Sequence, residues 1–287
     1  MNFQWYPGHM TKAKRMMEEN IKVIDLIIEL VDARVPLSSR NPDIDELGKN
    51  KSRIILLNKS DLSSEKGNEL WAEYFKQKGF YVLKINAKSG SGVKSITNVI
   101  TEACKEKIER DRRKGILVRP IRAMVVGIPN VGKSTFINSL VGKACTKTGN
   151  KPGVTKGKQW IRLNKTVELL DTPGILWPRF DNQIVGMRLA LIGSMNDQVL
   201  NIEDLALELI KFLQNKYPAL LNKRYEIDIT DVKEPFEVLA GIAKSRSCLR
   251  KGNELDYQKA AYILIDDFRN GKIGRVTLEM TELTEVI

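Results

Sequence analysis

The segment from Gly127 to Ser134 has the residue types and the spacing that bind nucleotide phosphates. It reads G-I-P-N-V-G-K-S, which fits the pattern G-x4-G-K-[S/T], and it lies between an apolar run and an amphipathic one. Its glycines let backbone N–H groups face a phosphate, Lys133 brings a positive charge to that phosphate, and the Ser134 hydroxyl can bind Mg2+. The segment therefore predicts a phosphate-binding loop, here called the P-loop, that opens a helix.

A second segment, the sequence D-T-P-G at positions 171–174, predicts a metal ligand and a γ-phosphate contact. The carboxylate of Asp171 can reach Mg2+, and the backbone N–H of Gly174 can contact the γ-phosphate. Thr155, within K-P-G-V-T-K-G, is the candidate for a threonine that closes over the metal only when the γ-phosphate is present. The predicted Mg2+ ligands are therefore Ser134, Thr155 and Asp171.

Two short segments that end strand-like apolar runs predict recognition of guanine. In Asn58-Lys59-Ser60-Asp61, the Asp61 carboxylate can accept from guanine N1–H and the 2-amino group, and the Lys59 stem can cover the base. In Asn86-Ala87-Lys88-Ser89, the Ala87 N–H can donate to guanine O6. Adenine would leave the Asp61 carboxylate without a donor, at a cost of about 1–3 kcal/mol, so the predicted ligands are GTP and GDP. The predicted nucleotide-binding residues are Asn58, Lys59, Asp61, Asn86, Ala87, Lys88, Asn130, Val131, Gly132, Lys133, Ser134, Thr135, Thr155 and Gly174.

The elements that must position these residues alternate between strands and helices. Apolar runs at 25–33, 53–58, 81–86 and 122–127 predict buried parallel strands, and amphipathic stretches at 64–79 and 92–114 predict helices between them. Residues 158–163 and 166–171 predict a hairpin that ends in an edge strand. This alternation predicts an α/β fold with a doubly wound, mostly parallel sheet.

Strand patterns disappear after about residue 205. Helix-period apolar residues recur at 205–217, 235–245 and 253–271, and in the last of these Tyr257, Ala261, Leu264 and Phe268 form one stripe that we interpret as core. We predict two domains: a nucleotide-binding domain over residues 1–204 and a small all-α C-terminal domain over residues 205–287.

The charge distribution indicates a polyanionic partner. The chain carries 47 Lys and Arg against 35 Asp and Glu, a formal charge of +12. Residues 105–122 contain eight basic residues and three acidic ones, and residues 143–168 contain seven and one. The positive charge is therefore concentrated around the predicted nucleotide site. A solvated surface could carry it, but a nucleic-acid phosphate backbone is the better interpretation.

Three features of the sequence exclude other classes of protein. Cys104, Cys145 and Cys248 are far apart and share the chain with a single histidine, so neither a structural zinc nor a disulfide framework is expected. No run of about 18 apolar residues predicts a membrane span, and the N-terminal segment lacks the apolar stretch of a signal peptide. We therefore expect a cytoplasmic protein.

The order of the nucleotide motifs leads to a family. The guanine motifs precede the P-loop, whereas the ordinary order is the reverse. The sequence N-K-S-D, N-A-K-S, G-I-P-N-V-G-K-S, P-G-V-T and D-T-P-G, with V-D-A-R-V-P at 31–36 and W-Y-P-G-H-M at 5–10, resembles the circularly permuted GTPases of the ribosome biogenesis GTPase A family. The resemblance covers the whole chain, including D-F-R-N-G-K-I-G-R-V-T-L-E near the end. It implies a circularly permuted P-loop GTPase domain, an RNA-binding C-terminal domain, and a role in late assembly of the large ribosomal subunit.

Fewer sequence signals identify the catalytic residues than the binding residues. Many GTPases place a water-orienting Gln directly after the glycine of the D-x-x-G motif, but this chain has Ile175 there. Asn130 resembles the P-loop asparagine of potassium-activated GTPases and could hold K+ near the phosphates, or it could only cap the loop. His9 could orient water, or it could lie on an RNA-facing surface. The predicted catalytic residues are His9, Lys133 and Gly174.

Several functions are compatible with these residues. The leading prediction is an assembly factor for the large (50S) ribosomal subunit that binds the nascent particle with GTP, leaves after hydrolysis, and is a monomer off the ribosome. The alternatives are a GTP-gated RNA-modifying enzyme or another RNA-binding GTPase switch, and the sequence has no second catalytic constellation that favours the former. A membrane-linked switch is disfavoured because lipidation motifs and a polybasic amphipathic anchor are missing.

Overall fold

The computed structural model describes residues 8–116, 119–142, 159–177, 182–230 and 234–280, with only the backbone of residues 8 and 9. The strands in these ranges are β1 (Leu26–Asp32), β2 (Ser52–Asn58), β3 (Tyr81–Lys84), β4 (Ile121–Gly127), β5 (Gln159–Arg162) and β6 (Val167–Asp171). The α-helices are α1 (Gly8–Asn20), α2 (Asp43–Leu47), α3 (Glu65–Gln77), α4 (Ile96–Ala103), α5 (Lys105–Arg113), α6 (Lys133–Val141), α7 (Gln183–Leu191), α8 (Ile202–Lys216), α9 (Pro218–Tyr225), α10 (Pro235–Ser245) and α11 (Tyr257–Arg269).

The six strands form one sheet with the order β3-β2-β1-β4-β6-β5. All neighbouring pairs are parallel except β5 and β6, which form the expected antiparallel hairpin. Every residue of β1 is buried, as expected for a central strand covered by helices on both faces. The prediction that Asp171 ends an edge strand was wrong, because β5 pairs with the outer side of β6 and is itself the edge.

The chain order and the spatial order of the strands differ in the way that a permutation requires. The strands that carry the predicted guanine motifs, β2 and β3, come second and third in the chain, before the P-loop strand, and form one side of the sheet. The P-loop strand β4 comes fourth, yet it lies at the centre, where Leu30 of β1 is opposite Gly127. Loops that follow parallel strands meet at their carboxyl edge, so both sets of motifs lie at the same edge.

The helix expected over residues 92–114 is interrupted. A 3₁₀ turn at Val93–Ser95 precedes α4, and the chain turns at Cys104 before α5 begins. Helix α4 buries Ile96 and Ile100 against the sheet, whereas none of the residues of α5 is buried. The break therefore falls where the apolar stripe ends, because a helix with only polar faces gains nothing by continuing along the core.

The C-terminal third is helical, as predicted, and it contains one helix that the sequence pattern missed, α9. Ala261, Leu264 and Phe268 of the predicted stripe are buried, and Tyr257 stacks on the exposed Phe236 with ring centroids 4.6 Å apart. Helix α8 begins at Ile202 with the Asn201 side chain as its N-cap, so the predicted domain boundary at 204/205 falls in its first turn. The division into two domains remains a prediction.

After α11 the chain returns to the sheet, which the sequence analysis did not foresee. This C-terminal tail, residues 271–280, lies along the segments that follow β1 and β2. The Val276 N–H donates to the Leu62 carbonyl and the Leu278 N–H to the Arg34 carbonyl, each at 2.9 Å. The indole N–H of Trp71 in α3 donates to the Glu279 carbonyl at 2.7 Å. The tail therefore connects the helical region directly to the predicted guanine motif.

The cysteines and the lengths of the helices bear on two of the expected exclusions, a disulfide framework and a membrane span. Cys104 and Cys248 are buried free thiols, and Cys145 lies outside the described residues. Burial raises the pKa of Cys104 to about 11, so this thiol stays protonated and unreactive at neutral pH. Within the described ranges, we find no helix with the length and apolar character needed to span a bilayer.

Candidate functional site

The P-loop joins the end of β4 to the start of α6 at the centre of the carboxyl edge. Gly132 is the N-cap of α6 and has φ +102°, and a Cβ at this position would clash with the side-chain nitrogen of Asn58. Only glycine fits both constraints. Ser134 and Thr135 follow in the first helical turn and are half-buried. The loop therefore presents a helix N-terminus, which favours a bound anion.

The ammonium group of Lys133 turns back into its own loop. The Nζ donates to the carbonyls of Gly127 and Ile128, at 3.0 and 3.1 Å. Burial lowers the pKa of Lys133 to about 8, although the charge of Asp171 acts in the opposite direction. The lysine is therefore a buried cation with only weak charge compensation, as expected for a group that binds phosphate.

Asp171 ends β6 and carries a buried carboxylate. Asp171 is 1% exposed, and neither of its carboxylate oxygens has a hydrogen-bond partner within the described residues. Burial raises the pKa of Asp171 to about 6, although the charge of Lys133 opposes this shift. A buried oxygen pair of this kind fits a hard divalent cation such as Mg2+. Of the two other predicted ligands, Ser134 lies in the first turn of α6 and Thr155 lies outside the described residues.

The D-T-P-G segment lies directly against the P-loop. A Cβ at Gly174 would be 2.8 Å from the Pro129 nitrogen and 2.9 Å from Lys133 Nζ, so only glycine permits this approach. The structure therefore places Gly174 and Lys133 close together, and their predicted catalytic roles stay predictions. Ile175, which occupies the position of the water-orienting Gln in many GTPases, is 1% exposed and cannot hold a water molecule with its apolar side chain.

Asn58 joins the guanine motifs to the P-loop. Its Nδ2 donates to the Val131 carbonyl at 2.7 Å, and its Oδ1 accepts from the Ala87 N–H at 3.0 Å. The Ala87 N–H thus has a protein partner here, and its contact with guanine O6 stays a prediction. Asn86 closes its own loop by accepting from the Lys88 N–H at 2.9 Å. The three loops are therefore held together by side chains before any ligand binds.

Asp61 is exposed at the rim of the site, beside a cleft of about 390 Å³. The residues that line this cleft include Ser60, Asp61, Asn86 and Ser89, and also Arg275 of the C-terminal tail. The carboxylate of Asp61 is therefore accessible to a base that enters between the two guanine motifs. Its proposed hydrogen bonds to N1–H and the 2-amino group remain a prediction.

Lys59 is held by a buried charge cluster that the motif alone did not predict. Its backbone is left-handed, with φ +58°, and its Nζ lies 3.0 Å from Asp32 Oδ2 and donates to the Asn130 carbonyl at 3.0 Å. Asp32 in turn binds Arg34 in a bidentate pair, at 2.9 and 2.8 Å. Burial acts to raise the pKa of Asp32, but the charges of Arg34 and Lys59 outweigh it and hold that pKa well below its usual range.

Asp32 and Arg34 are the residues that the sequence analysis noticed in V-D-A-R-V-P without giving them a role in the site. Arg34 is 1% exposed and also donates to the carbonyls of Phe268 and Arg269 at the end of α11, at 3.3 and 3.4 Å. Arg34 is therefore a structural residue that links the end of β1 to the end of α11. Two opposite charges at the end of a mostly apolar strand were the available signal, since buried charges must be paired.

The remaining predicted residues are placed only in part. Asn130 has φ +57°, and its Nδ2 donates to the Gly193 carbonyl at 2.7 Å, while the Ser194 hydroxyl donates to the Pro129 carbonyl at 2.9 Å. The P-loop is thus tied to the segment that follows α7, and K+ binding by Asn130 stays a prediction. His9 lies in the first turn of α1, with its side chain outside the described part of the chain.

The sheet order, the P-loop at β4 and the guanine motif at β2 define a circularly permuted P-loop GTPase. A family model described as 50S ribosome-binding GTPase matches residues 122–238. The ribosome biogenesis GTPase A of Bacillus cereus is 47% identical over 283 residues, which cover 98% of this chain and 95% of that protein. That of Thermotoga maritima is 34% identical over 281 residues, which cover 97% and 94%.

A solved structure agrees with these sequence similarities. The crystal structure of GNP-bound YlqF from T. maritima has a TM-score of 0.65 and 28% identity, and the match covers 94% of this chain and 99% of that one. The GDP-bound structure of the same protein gives a TM-score of 0.65 with 27% identity. The chain belongs to the ribosome biogenesis GTPase A family, and it is a GTPase.

Proposed function

We propose that this GTPase is an assembly factor for the large (50S) ribosomal subunit. It binds ribosomal RNA on the precursor particle in the GTP state and leaves after hydrolysis. The observation that carries this proposal is the 47% identity to a ribosome biogenesis GTPase A over 98% of the chain, because it spans both the nucleotide site and the helical C-terminal region. Away from the ribosome we expect a cytoplasmic monomer that does not associate with membranes.

The nucleotide would lie across the carboxyl edge of the sheet. Asp61, Lys59 and Ala87 would bind the guanine base, and the P-loop with Lys133 would bind the β- and γ-phosphates. Ser134, Thr155 and Asp171 would hold Mg2+, and the buried, unpaired oxygens of Asp171 support this assignment. When bound, Mg2+ neutralises charge on the phosphate oxygens during the transfer to water. Val131, Gly132 and Thr135 complete the cradle.

Hydrolysis requires a group that replaces the missing glutamine. Ile175 is buried and apolar, so slow turnover is expected for the isolated protein. Asn130 would hold K+ beside the phosphates, where the cation stabilises the charge that develops in the transition state. His9 would orient the attacking water when α1 is in contact with the particle, and Gly174 would bind the γ-phosphate through its N–H.

The exposed charges of α5 provide a candidate surface for ribosomal RNA. Lys107 and Arg122 are engaged within the protein, in ion pairs with Asp111 and Glu168. Arg110, Arg112, Arg113 and Lys114 at the end of α5 are exposed instead. Four basic residues within five positions can contact a phosphate backbone, and the affinity of such a contact falls as salt rises.

The test is GTP hydrolysis with and without isolated large ribosomal subunits, in potassium buffer and then in sodium buffer. We expect strong stimulation by 50S subunits, little by 30S subunits, and a loss of turnover in sodium. Asn130→Ala should turn over slowly in both buffers, with GDP affinity close to that of the unchanged protein. If neither mature nor precursor large subunits stimulate hydrolysis, the assembly role is wrong. Equal turnover in potassium and sodium would refute the K+ site alone.

A further inference from the structure

The segment that carries Asp61 is held in place by residues from the far end of the chain. The Arg275 side chain, in the C-terminal tail, donates from Nε to the Ser63 carbonyl at 2.7 Å and from Nη2 to the Ser60 carbonyl at 3.1 Å. These two carbonyls lie on either side of Asp61 in the sequence. A single guanidinium therefore fixes the backbone before and after the proposed guanine reader.

Other tail residues contact the same segment, which we call the guanine loop (residues 58–64). The Val276 N–H donates to the Leu62 carbonyl at 2.9 Å, and the Leu62 side chain packs on Gly271, whose φ is +73°. The hydroxyl of Thr277 lies 2.8 Å from the hydroxyls of both Ser63 and Ser64. The guanine loop is thus bound along its length by the tail, while Asp61 itself faces the cleft.

The tail is anchored beyond the guanine loop, so it cannot simply follow that loop when the loop moves. The Glu279 carboxylate accepts from the N–H groups of Leu37 and Ser38, at 2.8 and 2.9 Å, and from Arg188 at 2.8 Å. Its backbone carbonyl accepts from the buried Trp71. With α11 before it and this anchor after it, the tail acts as a fixed support for the loop.

We propose that Arg275 is a positioning residue for guanine selectivity. It holds the peptide groups that flank Asp61, so that the carboxylate is already oriented to accept from both N1–H and the 2-amino group of guanine. Without these two hydrogen bonds the loop samples more conformations, and binding of the base must order it. This inference rests on the proposed assignment of Asp61 as the guanine reader.

The contribution of Arg275 falls on the base and not on the phosphates. The P-loop is held by Asn58, by the Ser194 hydroxyl and by the Asn130 side chain. The hydrogen bonds of Arg275 to the Ser60 and Ser63 carbonyls, by contrast, lie on the guanine loop. The Arg275 side chain is 47% exposed, and its ion pair with Glu65 is also exposed. Such a pair contributes little to folding, so a variant at this position should fold.

The experiment measures the affinities of the full-length protein for GDP and for inosine diphosphate, which lacks the 2-amino group. The variant is Arg275→Ala, and the matched control is Lys272→Ala in the same tail. Lys272 has a similar side-chain exposure of 50%, but it pairs with Asp266 and Asp267 of α11 and not with the guanine loop. Fluorescent GDP displaced by each nucleotide gives both constants.

We expect Arg275→Ala to weaken GDP about tenfold and inosine diphosphate only about threefold, so that the preference for GDP falls, because a poorly oriented carboxylate loses the second hydrogen bond first. Arg275→Lys keeps the charge and should restore part of the preference. Lys272→Ala should leave both affinities within about twofold of the unchanged protein. An equal loss for the two nucleotides, or no loss, would overturn the proposal.

A separate variant distinguishes this proposal from the assignment on which it rests. Asp61→Asn replaces an acceptor by a donor, so it should weaken GDP and favour xanthosine diphosphate, which has a carbonyl in place of the 2-amino group. If Asp61→Asn leaves the selectivity unchanged, the assignment of Asp61 is wrong. If Asp61→Asn changes the selectivity and Arg275→Ala does not, only the positioning role of Arg275 is wrong.

Discussion

Asp32 and Asp171 are two buried carboxylates at the same edge of the sheet, and each interacts with a lysine, but their surroundings are opposite. Asp32 binds Arg34 in a bidentate pair and Lys59 at 3.0 Å. Neither oxygen of Asp171 has a hydrogen bond within the described residues. The pKa of Asp32 is accordingly held well below its usual range, while burial raises that of Asp171 to about 6.

The contrast divides the site into a guanine side, where the chain itself pairs the buried charges, and a phosphate side, where we expect a ligand to pair them. A buried charge is tolerated only when partners replace its lost hydration. On the guanine side those partners come from the chain itself, and they also fix Lys59. On the phosphate side we propose that a cation and a phosphate complete the surroundings of Asp171 and Lys133. The guanine side is therefore preorganised, whereas we expect the phosphate side to be stabilised when nucleotide and metal bind.

The largest change in the free energy of unfolding is expected for a substitution in the Asp32 charge cluster on the guanine side. Arg34→Ala leaves the Asp32 carboxylate buried with Lys59 as its only cation, which should lower the free energy of unfolding by about 3–5 kcal/mol. Urea unfolding of the nucleotide-free protein measures it. Arg250→Ala, which removes an exposed arginine paired with Asp256, is the control and should leave the unfolding midpoint unchanged. Similar midpoints for the two variants would mean that the Asp32 cluster is not a structural requirement.

On the phosphate side, we expect a substitution to raise the free energy of unfolding. Asp171→Asn removes a carboxylate whose pKa is raised by burial, and it should stabilise the nucleotide-free protein by roughly 1–3 kcal/mol. The same variant loses a proposed Mg2+ ligand, so GTP hydrolysis should fall about 100-fold or more. Differential scanning calorimetry and single-turnover hydrolysis check the two parts. A lower melting temperature would contradict the idea that Asp171 is unsatisfied without ligand.

A pH titration tests the same difference without a mutation. Because the folded pKa of Asp171 exceeds its ordinary value of 3.8, the folded state binds the extra proton, and its stabilising contribution is complete below about pH 4 and lost as the pH rises through about 6. Carbon-13 NMR of labelled aspartate carboxyls should show one group titrating near pH 6, and Asp171→Asn should remove it. Asp32 should stay ionised throughout this range. A titration near pH 6 that persists in Asp171→Asn would refute the assignment.

The smallest change in the free energy of unfolding is expected for a hydrogen bond between the P-loop and the segment that follows α7. Ser194→Ala removes the bond from the buried hydroxyl to the Pro129 carbonyl, and the unfolding free energy should fall by about 1 kcal/mol. Ser95→Ala removes an exposed hydroxyl that does not cap its helix, and it should have no measurable effect. Equal unfolding curves for the two variants would show that the phosphate side receives no support from this bond.

Most of the fold could be predicted because it depends on local patterns. Mostly apolar runs such as β1 and the apolar stripe of α11 indicate burial directly, and the P-loop sequence indicates a strand, a turn and a helix in that order. The errors lie where the pattern is weak. Helix α9 begins at Pro218 and has only a short apolar face. The interruption at Cys104 lies inside a stretch that has good helix formers on both sides.

The amino-acid sequence by itself determined which residue types the site contains: a P-loop, a carboxylate that we propose as a metal ligand and a carboxylate that we propose as the guanine reader. These depend on residue type and on spacing within a few positions, which any fold must preserve. The tertiary structure alone decided which charges are neutralised. The ion pair of Lys59 with Asp32 and the contact of Arg275 with the guanine loop join segments up to 215 positions apart. Such contacts leave no periodic trace in the sequence, because their energy depends on burial and distance in the folded chain.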